Sequence, residues 1–263
     1  MMEITSTQNP RIKHLLALGQ KAKARQAERL FVVEGRREIQ HCIDAGFRVA
    51  TLYCQPGLCP SPPPAEETVE VSPTVYEKIA YRGSTEGLVA VVEARQARLD
   101  DIRLSPAPLI IVLESVEKPG NLGAVLRTAD AAGADAVIVC DPLTDLYNPN
   151  LIRSSIGAVF TVPCVACCSE ACISYLKEHR IQILTAQLQD SRPYYDTDMR
   201  QATAIVMGTE STGLTPQWRL AADAHIRIPM LGRLDSLNVS VSAAILTFEA
   251  VRQRSAENQY TKP

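Results

Sequence analysis

From Leu109 onward, near-continuous apolar runs alternate with segments of helical spacing. Leu109–Leu113, Ala136–Cys140, Ile181–Thr185 and Ala204–Met207 have strand length and apolar content, as strands covered on both faces require. Helices are expected between them, near residues 121–132, 168–179 and 213–222. Strands alternating with helices imply an α/β fold with a parallel sheet. Ligands in such sheets sit beyond the carboxyl ends of the strands, which directs attention to the loops after Leu113, Met207 and Ile228.

Before Leu109 the pattern is more broken. Residues 11–29 read as a basic helix, Leu30–Val33 as a short strand, residues 36–45 as a helix, and Val49–Cys54 and Leu88–Val92 as strands. Pro56, Pro60, Pro62, Pro63, Pro64 and Pro73 fall between those last two runs and are expected to forbid regular structure across residues 56–73. A small α/β domain over residues 1–94 is expected, then a charged and proline-containing linker over residues 95–107, then a second domain over residues 108–263. Near the C-terminus, Leu237, Val241, Ala244, Ile245 and Phe248 recur at helical spacing. They predict a helix with a buried stripe, closed by Arg252 and Arg254 at its negative end.

The length of 263 residues fits two domains, and 46% apolar with 21% charged residues excludes disorder. No apolar run approaches the ~18 residues of a membrane span, and no apolar segment follows a basic start. A soluble, cytoplasmic protein is expected. Its net charge of −2 hides an asymmetry. Of the 27 Lys+Arg and 29 Asp+Glu, residues 1–38 hold eight and four, leaving nineteen and twenty-five for the rest. Arg11, Lys13, Lys21, Lys23, Arg25 and Arg29 face a single acid, Glu28, between Asn9 and Arg29. The run suggests a polyanion contact, although a solvated helix face has the same pattern.

Among the eight cysteines, Cys42, Cys54 and Cys140 lie in apolar runs, and Cys164, Cys167, Cys168 and Cys172 cluster. A zinc site wants a second knuckle, and His179 alone is a poor one. No metal is expected, and the cysteines read as reduced thiols.

Several chemistries are excluded. None of the thirteen glycines lies two positions from another, so a G-x-G-x-x-G fingerprint is absent. Gly208 to Gly213 has the glycine spacing of a P-loop without its Lys-Ser/Thr pair. The four histidines stand singly, with no H-E-x-x-H, and there is no G-x-S-x-G.

Each candidate loop carries polar residues of interest. In Lys118-Pro-Gly-Asn-Leu-Gly-Ala-Val-Leu-Arg127, Pro119-Gly120 makes a turn and Asn121 suits a helix N-cap. Arg127 either faces solvent or acts in a site. In Gly208-Thr-Glu-Ser-Thr-Gly213, Glu210 is the one acid, either a ligand contact or a solvated loop residue. In Ile228-Pro-Met-Leu-Gly-Arg-Leu-Asp-Ser236-Leu-Asn238-Val-Ser240, either Ser236 or Asn238 could cap the last helix. The free N–H groups of that helix's first turn could equally hold a ligand.

Together these loops resemble, in order, the three motifs of the SpoU (TrmH) family of RNA ribose 2′-O-methyltransferases. The carriers are Pro119-Gly120-Asn121-Leu122-Gly123 with Arg127-Thr128-Ala129, then Gly208-Thr209-Glu210 with Gly213-Leu214, then Ile228-Pro229-Met230 with Ser236-Leu237-Asn238-Val239-Ser240. Tyr147-Asn148-Pro149 and Arg153-Ser154-Ser155-Ile156-Gly157-Ala158 are similar to a further family segment. Ser6–Lys13 and Phe31–Arg36 look like the start of the small RNA-binding domain that many members carry. Glu117-Lys118 stands where an acid commonly precedes Pro-Gly, and Ser211 where a glycine commonly follows the glutamate.

The resemblance implies methyl transfer from S-adenosylmethionine to a ribose 2′-hydroxyl, with ribosomal RNA favoured. The alternatives are a transfer-RNA 2′-O-methyltransferase and a catalytically silent RNA-binding factor. It implies Arg127 as the catalytic residue, binding phosphate and assisting deprotonation, with Asn121, Glu210, Ser236 and Asn238 ordering the site. The cofactor would lie along the backbone at Gly208, Ile228 and Leu237. It further implies a SPOUT-type domain with a C-terminal trefoil knot, and a homodimer formed through it.

Overall fold

A computed structural model describes residues 3–81, 86–209 and 212–260, with side chains placed through residue 255. Two compact units emerge, residues 1–96 with 145–161, and residues 97–144 with 162–263.

The first unit holds β1 (Glu3–Ile4), α1 (Pro10–Gln20), α2 (Ala22–Glu28), β2 (Leu30–Glu34), α3 (Arg36–Asp44), β3 (Val49–Cys54), β4 (Glu67–Val71), α4 (Pro73–Ile79) and β5 (Leu88–Glu93). Its five strands form a mixed sheet in the order β1-β4-β3-β5-β2. The expected single basic helix is two helices, because Lys21 takes an extended conformation, φ −115° and ψ 112°. Asn9 caps α1 by accepting from the Arg11 N–H at 2.9 Å, and Ile12, Leu15 and Leu18 turn inward. Arg25 is buried rather than part of a solvated face. It donates to the Leu18 carbonyl at 2.7 Å, where a cation suits the end of α1, and to Asp145 at 2.6 Å.

The prolines do not forbid structure across residues 56–73. Glu67–Val71 is a strand, and Pro73 occupies the first turn of α4, where no backbone N–H is needed.

The second unit opens with β6 (Leu109–Glu114), α5 (Pro119–Ala132) and β7 (Ala136–Cys140). The chain then visits the first unit as α6 (Pro149–Ser154) and α7 (Ala158–Thr161). The expected boundary at residues 95–107 assigned this segment to the second domain. It packs with the first unit because Tyr147 stacks on Phe31, ring centroids 4.3 Å apart, and Phe160 meets Phe31 and Phe47 at 5.8 and 5.4 Å.

The second unit continues with β8 (Cys164–Cys167), α8 (Ser169–Glu178), β9 (Gln182–Ala186), β10 (Arg192–Pro193), β11 (Thr203–Met207), α9 (Pro216–Ala221), β12 (Ala224–Arg227) and α10 (Val239–Tyr260). Its seven strands are ordered β10-β12-β9-β11-β6-β7-β8, and every pairing is parallel. Alternate residues of the central strands, Ile110, Val112, Ile138 and Val206, pack with Trp218 in one core cluster.

The buried stripe of the last helix is not the expected one. Val239, Ala243, Leu246, Thr247 and Ala250 are buried, whereas Val241 and Phe248 are each 46% exposed. This helix packs on α5, β6 and β11. Arg254 does not close it. Its guanidinium reaches the carbonyls of Ala107, Met199 and Gln201 at 2.7–3.0 Å, and burial lowers its pKa.

Candidate active site

The carboxyl ends of β9, β11 and β12 surround a cavity of about 500 Å³, a volume suited to a small molecule. Strand β11 delivers Met207 and Gly208 to its wall, and the segment after β12 adds Ile228, Met230, Ser236 and Leu237. Gly208, Ile228, Leu237 and Ser236, singled out separately by motif, are thus brought to one cavity.

Gly208 has a steric reason to be glycine. A Cβ there would lie 2.3 Å from the backbone carbonyl of Gly213. The two stretches approach because the Gly213 N–H donates to the Thr209 carbonyl at 3.0 Å, and Gly213 turns with φ +67°. Thr209 Oγ1 also accepts from the Thr212 N–H at 3.1 Å. Glu210 and Ser211, in the same loop, lie outside the described residues.

Asn121 does not cap its helix. Pro119 starts α5 and Lys118 is the capping residue, so Asn121 falls in the first turn. Its Oδ1 accepts instead from Asn238 Nδ2 at 3.1 Å. Asn238 is the true cap of α10, with Oδ1 accepting from the Ser240 N–H at 3.0 Å and the Ser240 hydroxyl at 2.6 Å. Ser236 is exposed, its hydroxyl 3.3 Å from Asp235. Arg127 is on the exposed face of α5, opposite the buried Leu122, Val125, Leu126 and Ala129. It is absent from the cavity wall and has no ion-pair partner among the described residues.

Sequence reasoning missed Glu114, which ends β6 and is only 2% exposed. It accepts from the Thr215 N–H at 2.8 Å, the Thr215 hydroxyl at 2.6 Å and the Ser169 hydroxyl at 3.2 Å. A buried carboxylate so satisfied anchors the end of the loop that carries Gly208 and Gly213. An acid closing an otherwise apolar strand was its only sequence signal.

The cysteines regroup as well. All eight are free thiols, and Cys140 joins Cys167 and Cys172 rather than standing apart. The facing thiols of Cys140 and Cys172 pull the Cys167 pKa down to about 4.

Comparison with known proteins agrees with this architecture. Residues 108–248 match the SpoU rRNA Methylase family, and residues 9–90 match the MRM3-like substrate binding domain. The chain is 29% identical to the 23S rRNA (guanosine(2553)-2′-O)-methyltransferase RlmP of Bacillus subtilis, over 94% of this chain and 98% of that one. An RNA 2′-O ribose methyltransferase structure superposes with a TM-score of 0.82 at 41% identity, covering 97% of this chain and 100% of the other. The AdoMet-bound rRNA methyltransferase from Sinorhizobium meliloti gives a TM-score of 0.86 at 32% identity, covering 95% and 97%. This chain belongs to the SpoU rRNA methylase family.

Proposed function

We propose that the protein transfers a methyl group from S-adenosylmethionine to a ribose 2′-hydroxyl of ribosomal RNA. The observation that carries this is the convergence of Gly208, Ile228 and Leu237 on one cavity at the strand ends. The cavity fits the cofactor in size, and Gly208, having no side chain, lets the Gly213 backbone close against that part of the wall. S-adenosylmethionine supplies an electrophilic methyl on sulfur. Main-chain groups at Gly208, Ile228 and Leu237 would hold its adenine and methionine parts.

Arg127 stands exposed and without an acid partner among the described residues, free to take an RNA phosphate. A guanidinium stays charged at all working pH values, so its contribution is to position the ribose and to stabilise the developing alkoxide. Asn121 and Asn238 hold the first and third motif segments together, and Ser236 and Glu210 complete the ordering set.

The first unit is the RNA-binding part, with Lys13, Lys21, Lys23 and Arg29 exposed for phosphate contact. The second unit carries the transfer chemistry and the C-terminal trefoil knot, supported by α10 packing back on α5, β6 and β11. The protein acts as a cytoplasmic homodimer through that domain, for which the exposed Val241 and Phe248 supply an apolar face. No described helix is long and apolar enough to cross a membrane.

Calorimetry with S-adenosylmethionine and a methyl-transfer assay on ribosomal RNA test this reading. Wild-type protein should bind the cofactor, and Arg127→Ala should lose transfer while keeping cofactor affinity within about twofold. A folded protein that binds no cofactor overturns the proposal, and unchanged turnover in Arg127→Ala overturns the role of that residue.

A further inference from the structure

We propose that Cys140, Cys167 and Cys172 form a three-thiolate site for a thiophilic cation, zinc(II), at one edge of the parallel sheet. The three come from separate elements. Cys140 ends β7, Cys167 ends β8, and Cys172 lies in the first half of α8. Strand register makes Cys140 and Cys167 direct neighbours, and the helix folds Cys172 back over them. The three Sγ atoms all lie within 4.8 Å of one another.

Core thiols ordinarily pack as small hydrophobes with no need to meet. Cys42 and Cys54 do so, each buried in the first unit with no part in the cluster. Convergence of three sulfurs is what a metal requires. Zinc–sulfur bonds of about 2.3 Å place tetrahedral ligand sulfurs about 3.8 Å apart, so each sulfur has to move by less than about 1 Å. An all-sulfur set selects thiophilic ions over magnesium or calcium.

The surroundings fix the ligands. The Asp141 N–H donates to the Cys167 carbonyl at 2.8 Å. The Asp141 carboxylate accepts from the Ser169 hydroxyl at 2.6 Å and the Ser169 N–H at 3.2 Å, tying the start of α8 to the end of β7. Cys140 and Cys172 are fully buried, while Cys167 is partly exposed and gives an ion a way in. On binding, each sulfur that still carries a proton gives it to solvent as its sulfur–zinc bond forms, and water takes the fourth position. The site would clamp the edge strand β8 to its neighbour and to α8. No cysteine lines the proposed methyl-transfer cavity, so the site does not depend on that reading.

The test uses the full untagged chain, purified under a phosphine reductant without chelator. Mass spectrometry should find about one zinc per chain, and cobalt(II) added to metal-stripped protein should give sulfur-to-cobalt charge-transfer absorption. Zinc should raise the melting temperature of the stripped protein. Cys167→Ser and Cys172→Ser should lose the absorption and the zinc-dependent shift, and Cys164→Ser, on the same strand but outside the cluster, should keep both. Circular dichroism confirms folding, and the partly exposed Cys167, at the margin of the core, provides the milder of the two variants. Absence of the cobalt absorption in folded wild-type protein overturns the proposal, as does absorption that survives Cys167→Ser or is lost equally in Cys164→Ser.

Discussion

Asn238 Nδ2 donates to Asn121 Oδ1 at 3.1 Å, joining the cap of α10 to the first turn of α5 across 117 residues of sequence. One side chain therefore does two tasks, because the Asn238 oxygen also caps its own helix. Asn238→Ala should cost about 1 kcal/mol more stability than Asn121→Ala, the worth of a lost cap. In a double-mutant cycle the pair should couple by about 0.5–1 kcal/mol. Urea denaturation of the four proteins measures both, and additive effects would show that the contact contributes nothing.

Gly208→Ala should abolish detectable cofactor binding. The added methyl has backbone, not a flexible side chain, 2.3 Å away, so the loop must open and the cavity wall moves with it. Calorimetry reads the loss, with circular dichroism to confirm that the sheet persists.

Glu114→Gln keeps the volume but turns one of two acceptor oxygens into an amide donor, which must face either the Thr215 N–H or the hydroxyls of Thr215 and Ser169. Losing charge-assisted hydrogen bonds at a buried site should cost about 2–3 kcal/mol. Cofactor affinity should fall too, because Thr215 follows the Gly213-Leu214 stretch of the cavity wall. A variant with wild-type melting temperature and affinity would remove Glu114 from the loop's support.

The proposed dimer predicts that wild-type protein has twice the chain mass and that Val241→Asp combined with Phe248→Asp is monomeric. Both side chains face solvent on α10, and two carboxylates there would have to be desolvated in an interface. Light scattering gives the mass directly, and a dimer that survives both changes rules out this face.

Much of the second unit was legible because β6, β7 and β11 are buried on both faces and so read as plain apolar runs. Strand β12, Ala224–Arg227, was not, since a short Ala-His-Ile-Arg run has no such signature. The face of α10 misled for a packing reason. Its inward residues include Ala243, Thr247 and Ala250, small enough to let the helix lie close to α5, while the bulkier Val241 and Phe248 face outward. Ranking positions by hydrophobicity picks the second set. Prolines gathered between Pro56 and Pro64 hid β4, which begins only at Glu67. Of the site, the motif glycines and polar residues were legible, but Asn121 was misplaced because Pro119 starts the helix two residues earlier. The partnership of Cys140 with Cys167 depends on strand register, which local sequence does not reveal.

The aromatic cluster of the first unit sets a timetable for synthesis. Phe31 and Phe47 are translated early, yet their ring partners Tyr147 and Phe160 belong to a segment more than 100 residues later. While the nascent chain is shorter than that, Phe31 and Phe47 have only each other as ring neighbours. Completion of the amino-end core thus waits on the chain's middle, and a fragment cut at Gln96 would leave Phe31 without its stacked rings and Phe47 without its edge contacts to Tyr147 and Phe160.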